Sequence, residues 1–172
     1  MNQPLLSRRR FSLALPSLLP VIGLSRYWAD PHRATDDEGI SRTEEAIHQE
    51  VVLNASRQRV YAALTEADQF RKVCNGLETH ISGEQGGTFS LFGSAISGRH
   101  IELVPGERIV QAWRSNGWKA GDFSIARFEL KEQGAGTKIV FDHTGFPKGQ
   151  AEHLAGGWKQ HYWEPLAQYF KA

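Results

Sequence analysis

Cysteine is nearly absent: Cys74 is the only one in 172 residues. One thiol cannot close an intrachain disulfide or build a thiolate zinc site, and the simplest role for Cys74 is a buried apolar side chain. Acidic residues are missing from the first 29 positions, whose only charges are Arg8, Arg9, Arg10 and Arg26. With those four set aside from a formal net charge of +1, residues 30–172 carry −3. No basic patch remains in the body of the chain, so nucleic acid is not an expected partner. No apolar run is long enough for a stable membrane span; the best, Ala14 to Leu24, is short and broken by Pro16 and Pro20. Internal repeats, a phosphate-cradling glycine loop, a serine nucleophile elbow and a Cys–His pair are all missing.

What remains is one domain of ordinary size, 40% hydrophobic, behind an unusual leader. Ser7-Arg8-Arg9-Arg10-Phe11 ahead of the short apolar run has the layout of an export signal and resembles the bacterial twin-arginine type. Residues 1–25 are therefore expected to be a signal peptide with Arg8 and Arg9 at its core, cleaved after Ser25 or, less favourably, after Ala29. The protein is then periplasmic or secreted. An unprocessed N-terminus or a transit peptide is the competing reading; without the signal the protein is cytoplasmic. Residues 26–45 are polar and without period, the composition of a disordered linker. The domain is expected over residues 46–172.

Ile47, Val51 and Leu53 alternate as in a strand. Ser56 is placed to cap a helix through Leu64, with Val60, Ala63 and Leu64 as its apolar stripe. Thr65 is placed to cap a second, short helix that carries Phe70 and Val73 and stops at Asn75-Gly76. Five strands follow between glycine and proline turns: Thr88 to Phe92, Ala95 to Val104, Glu107 to Arg114, Asp122 to Lys131 and Thr137 to Thr144. Short connections make them antiparallel. From Gln150 the period lengthens: Leu154, Trp158, Tyr162, Leu166 and Tyr169 or Phe170 form the stripe of a long helix, which Pro165 should bend.

No catalytic constellation emerges, and an enzyme is the less favoured reading. Asp142 and His143 are neighbours on a strand and point to opposite faces. His143 shares parity with Ile139 and Phe141, so it should face inward, either as a ligand contact or as a buried, hydrogen-bonded histidine. His153 and His161 are eight residues apart on a helix, about 12 Å in rise, too far to share a metal. On their strand Ile101 and Leu103 should take the interior, which puts His100 and Glu102 outside; no third ligand joins them, and neither metal nor cofactor is expected. Arg114, opposite in parity to Trp113, belongs on the outer face or anchors the loop to Trp118.

Across about 125 positions the chain resembles the activator of heat-shock-protein-90 ATPase homologue family, in its C-terminal domain, within the START-like (SRPBCC) superfamily. The resemblance is carried by Gly86-Gly87 with Phe89, Gly98, Leu103-Val104-Pro105, Ile109-Val110, Trp113-Arg114, Trp118, Gly121 with Phe123, Gly145 with Pro147, and Gly157-Trp158 with Tyr162. It implies an α+β helix-grip fold: a curved antiparallel sheet wrapped around a long C-terminal helix, enclosing an apolar cavity. Phe89, Trp113, Trp118, Phe123, Phe141, His143, Trp158 and Tyr162 are the residues expected at that cavity. Trp158 should face Trp113 and His143, with Gly157 letting the helix approach the sheet. The implied partners are an apolar small molecule or, in a cytosolic co-chaperone, a heat-shock chaperone. A cyclase or hydrolase using the cavity is a further alternative, since the fold alone does not decide.

Overall fold

A computed structural model describes residues 45–171. Residues 1–44, with the expected signal, Arg8, Arg9 and nearly all of the expected linker, lie outside the described residues. The first strand, β1, runs Ala46–Leu53, with Ile47 and Leu53 buried as alternation requires. Ser56 caps α1 (Arg57–Thr65), its hydroxyl oxygen accepting from the Arg59 N–H at 3.4 Å. Thr65 does not cap the next helix. It closes α1 by donating to the Tyr61 carbonyl at 2.8 Å, and Glu66 takes the cap position of α2 (Ala67–Val73). Asn75 and Gly76 then turn left-handed, and the Gly76 N–H returns to the Arg71 carbonyl at 2.8 Å, which ends the helix.

Six more strands follow: β2 (His80–Ile81), β3 (Thr88–Leu91), β4 (Ile96–Val104), β5 (Arg108–Ser115), β6 (Ser124–Gln133) and β7 (Gly136–Thr144). The two-residue β2 carried no sequence signal. All pair antiparallel in the order β1-β7-β6-β5-β4-β3-β2. The α1–α2 pair carries the chain from one sheet edge to the other. The strands then return one by one until β7 meets β1, Ile47 opposite His143 and Leu53 opposite Thr137. The sheet curves around the C-terminal helix, in the expected helix-grip arrangement.

A β-bulge breaks the alternation of β4. His100 pairs with Gln111 but Glu102 pairs with Val110, so Ile101 is an extra residue. One extra residue reverses the parity on its two sides. Leu103 packs on the core as expected, whereas Ile101 is 41% exposed and His100 is fully buried beside Phe89. The expected outward His100 and inward Ile101 are both corrected by this bulge. Glu102 does face out, where it accepts from Arg108 at 2.8 and 2.9 Å.

The final helix is also irregular. Between α3 (Ala151–Trp158) and α4 (Glu164–Tyr169) lies a π-helical segment, Lys159–Trp163. The Glu164 N–H reaches back five residues to the Lys159 carbonyl. A five-residue turn brings Trp158 and Trp163 onto the same side, where their rings stack at 5.8 Å and 20°. Pro165, which has no N–H to give, follows directly. The expected stripe of Leu154, Trp158, Tyr162, Leu166 and Phe170 is buried, and the π turn adds Trp163 to it.

Candidate ligand cleft

Trp158 is the hub where helix and sheet meet. Its ring lies 4.4 Å from Phe141, 5.5 Å from Trp113 and 4.2 Å from Tyr162. Its indole N–H donates to His143 Nδ1 at 2.9 Å. An indole can only donate, so Nδ1 accepts and the imidazole proton sits on Nε2. That proton goes to Ser124 Oγ at 2.6 Å, and the serine hydroxyl donates to the Trp113 carbonyl at 3.0 Å. Every polar atom in this relay is satisfied. Burial pulls the His143 pKa from 6.5 to about 3. His143 is therefore a neutral, hydrogen-bonded core residue whose partners are side chains.

Beside this hub a cleft of about 730 Å³ opens between the C-terminal helix and the adjoining ends of β4 and β5. Trp113, Trp118, Phe92, Trp158 and Tyr162 form its aromatic walls. Volume and lining fall in the range of small-molecule sites. Arg114 shapes the mouth, its guanidinium donating to the carbonyls of Trp118 at 2.9 Å and Lys119 at 3.2 Å. The Trp118 ring then meets Trp113 edge-on at 5.4 Å. Both sequence readings of Arg114 hold: it leaves the core and anchors the loop.

Of the expected cavity residues, the structure brings Trp113, Trp118, Trp158 and Tyr162 together at the cleft. Phe141 and His143 lie beneath it, packed on Trp158. Phe89 is buried further along the sheet, against His100 and Gly98. Phe123 is not a cavity residue. It is 49% exposed and sits under the Arg114 guanidinium at 5.7 Å. Inward parity on β6 belongs to Ser124, Ala126 and Phe128, so position 123 faces out.

Sequence reasoning missed Phe92. Continued alternation after Phe89 and Leu91 would point it outward. Instead its φ of 56° turns it back, and its ring packs on Phe70 at 5.5 Å and Tyr162 at 5.4 Å. Positive φ is costly for a bulky residue and persists only where packing holds it. The Gly93 that follows was the available signal. Gly157 is a further correction: a side-chain carbon added at Gly156 or Gly157 would meet nothing within 4 Å. These glycines do not let the helix approach the sheet; they leave an open helix face along the cleft. Close approach occurs at Gly98, where an added carbon would collide with the Ala112 carbonyl and the Phe89 ring.

The charged and titratable side chains at the cleft are Glu152, His153, His161 and Tyr162, with no lysine or arginine among its lining residues. Among the described residues, no cluster of three His, Cys, Asp or Glu side chains is placed to hold a metal ion. No described helix is long and apolar enough to cross a membrane.

A curved antiparallel sheet gripping a long helix, with a cleft beside that helix, defines a START-like (SRPBCC) helix-grip protein. The chain belongs to the Activator of Hsp90 ATPase homolog 1-like protein family, whose model matches residues 54–171. It is 25% identical over 115 residues to the human activator of 90 kDa heat shock protein ATPase homolog 1, covering 67% of this chain and 34% of that protein. The chain spans between 23% and 36% of the length of the curated relatives it matches. Among solved structures, the Chromobacterium violaceum protein CV1439 is 27% identical with a TM-score of 0.61, covering 76% of this chain and 99% of its own. An HSP90 activator from Plasmodium falciparum shares the fold at 20% identity and a TM-score of 0.63, over 69% of this chain and 90% of that one.

Proposed function

We propose that the domain binds a small, mainly apolar molecule in the cleft along the C-terminal helix. The observation that carries this reading is Gly156-Gly157, mid-helix and facing open space. Each glycine costs a helix about 1 kcal/mol relative to alanine. Neither has a neighbour that would exclude a side chain, so folding alone gives no reason for them. A ligand lying against the helix backbone does. The aromatic walls supply a flat apolar surface beside that open face. The test is binding of the neutral fluorescent probe N-phenyl-1-naphthylamine to the wild type and to Gly157→Leu. Leucine is the better helix former and its Cβ meets no neighbour within 4 Å, so the fold should hold or gain stability while probe affinity falls at least about tenfold. Equal binding by both proteins overturns the reading.

A second reading is contact with an Hsp90-type chaperone, favoured by the family match over residues 54–171. It is separated from the first by ATP turnover of the cognate chaperone. A dose-dependent rise on adding this protein supports it; the cleft reading expects none. We also propose export, on the strength of Arg8-Arg9 before an apolar run in a segment free of acidic residues. Cell fractionation and N-terminal sequencing should find a chain beginning near Arg26 or Asp30 outside the cytoplasm. Lysine at both positions 8 and 9 should retain the precursor inside. An intact cytosolic N-terminus in unmodified cells removes this proposal.

A further inference from the structure

Two buried polar groups in the cleft wall make no hydrogen bond. Trp113 is 3% exposed and Tyr162 5% exposed, and neither the Trp113 Nε1–H nor the Tyr162 hydroxyl has a partner. The surrounding polar groups are matched. Trp158 donates to His143, His143 and Ser124 complete their relay, and Trp163 Nε1–H donates to Gln49 Oε1 at 2.6 Å. Buried donors left unmade are costly, and native cores rarely contain them without a reason. Among the described residues, the other buried side-chain atoms without partners belong to Arg57, His100 and Arg114, none of which lines the cleft.

The two donors share one locality. Burial drives the Tyr162 phenol pKa up; a weak hydrogen-bonding contact from the Trp113 N–H opposes that rise and the neighbouring Cys74 thiol adds to it, while neither group closes a full hydrogen bond. The phenol oxygen can accept the indole proton if the pair closes, but the indole cannot accept in return, so the phenol's own proton needs an acceptor from elsewhere. A carbonyl oxygen has two lone pairs and can take both donors at once. Its charge is constrained as well. Glu152 stands at the cleft and no lysine or arginine lines it, which leaves only the imidazoles of His153 and His161 to face an anion, so a buried carboxylate or phosphate has no permanent cation beside it. An ammonium group would place a donor against donors.

We infer that the molecule bound in the cleft carries an uncharged carbonyl oxygen that accepts from both Trp113 Nε1–H and Tyr162 Oη–H. This rests on the cleft being a ligand site. The oxygen enters between the Trp113 and Tyr162 rings, behind the present cleft surface. Trp118, half-buried at the mouth and edge-on to Trp113, is the ring that would have to move to admit it. The apolar body lies against Phe92 and the open face of Gly156-Gly157.

The experiment compares three probes of one shape: 2-acetylnaphthalene, its isostere 2-isopropenylnaphthalene in which CH2 replaces the oxygen, and 2-naphthoate. Affinities are measured by calorimetry, and the indole N–H signals are followed by nitrogen-correlated NMR, with Trp113 assigned by substitution. The ketone should bind about tenfold more tightly than the alkene, the worth of an otherwise unmade hydrogen bond. It should also shift the Trp113 indole proton downfield, which the alkene should not. Tyr162→Phe keeps the ring and should bring ketone and alkene within about threefold of each other. Equal affinities in the wild type, an unmoved Trp113 signal, an unchanged ratio in Tyr162→Phe, or naphthoate as the tightest probe each overturn the inference while leaving the cleft reading standing. If none of the three binds, the cleft reading falls and takes this inference with it.

Discussion

Trp158 can only donate a hydrogen bond, and that property sets the proton positions around it. Protonating His143 would put an N–H against the indole N–H, inside an apolar core. Folded His143 therefore takes its proton only near pH 3, whereas an unfolded histidine takes it near 6.5. Below 6.5 the unfolded state binds more protons, so stability present at neutral pH is lost as pH falls from 6.5 towards 3. Urea unfolding near pH 5 should show about 2 kcal/mol less stability than near pH 7.5 from this residue alone. His100, whose pKa burial also lowers, acts in the same direction. A flat profile over that window contradicts the buried, neutral assignment. Trp158→Ala removes the hub and should cost about 3–5 kcal/mol in the same measurement. Tyr162→Phe should do the opposite in the ligand-free protein, gaining about 1 kcal/mol by deleting an unmatched hydroxyl. The inward direction of His143 was legible from Ile139 and Phe141. Its partners were not, because Ser124 and Trp158 come from elements whose relative placement no local pattern encodes.

Glycines inside regular elements separate two kinds of demand. At Gly98, in β4, an added carbon would strike the Ala112 carbonyl and the Phe89 ring. Gly98→Ala should cost about 1–3 kcal/mol, the usual price of overpacking. At Gly157, in α3, the same change meets empty space and should raise the unfolding free energy by about 1 kcal/mol. Thermal denaturation of the two variants should therefore move in opposite directions, and a shared direction would show that one of the two environments is misassigned. Both glycines were visible in the sequence; which neighbour each one faces was not. The strands and helices themselves were legible to within a few residues because hydrophobic period and turn residues agree along most of the chain. Reading failed where one residue breaks the period. The bulge at Ile101 reversed the faces of His100 and Ile101, and the left-handed Phe92 turned an outward position inward. The π turn placed Trp163 beside Trp158, five residues on, which a fixed period of 3.6 assigns to another face.

At the scale of the molecule, the strand that comes first is laid down against the strand that comes last. β1 covers one side of β7, buries Ile47 and Leu53, and sends Gln49 to the helix, where it donates to the Ala155 carbonyl at 3.1 Å and accepts from Trp163. The family match starts at residue 54, after this strand. A chain cut to residues 54–171 should lose cooperative urea unfolding, and retention of a sharp transition would show that β1 is dispensable. The fold class was legible from the order of elements; the closure of the sheet by β1 follows from pairing between distant segments. The aromatic core has an optical consequence. Trp118, Trp113, Trp158 and Trp163 touch in succession, at 5.4, 5.5 and 5.8 Å, from the half-buried cleft mouth into the interior. Rings this close share excitation, so light absorbed deep in the core is free to emerge from Trp118, in the most polar surroundings of the four. With Trp28, the fifth tryptophan of the chain, replaced by phenylalanine, the emission colour thus reads out the position of a single ring at the cleft mouth, and the exciton signal of the stacked pair in circular dichroism supplies an internal reference.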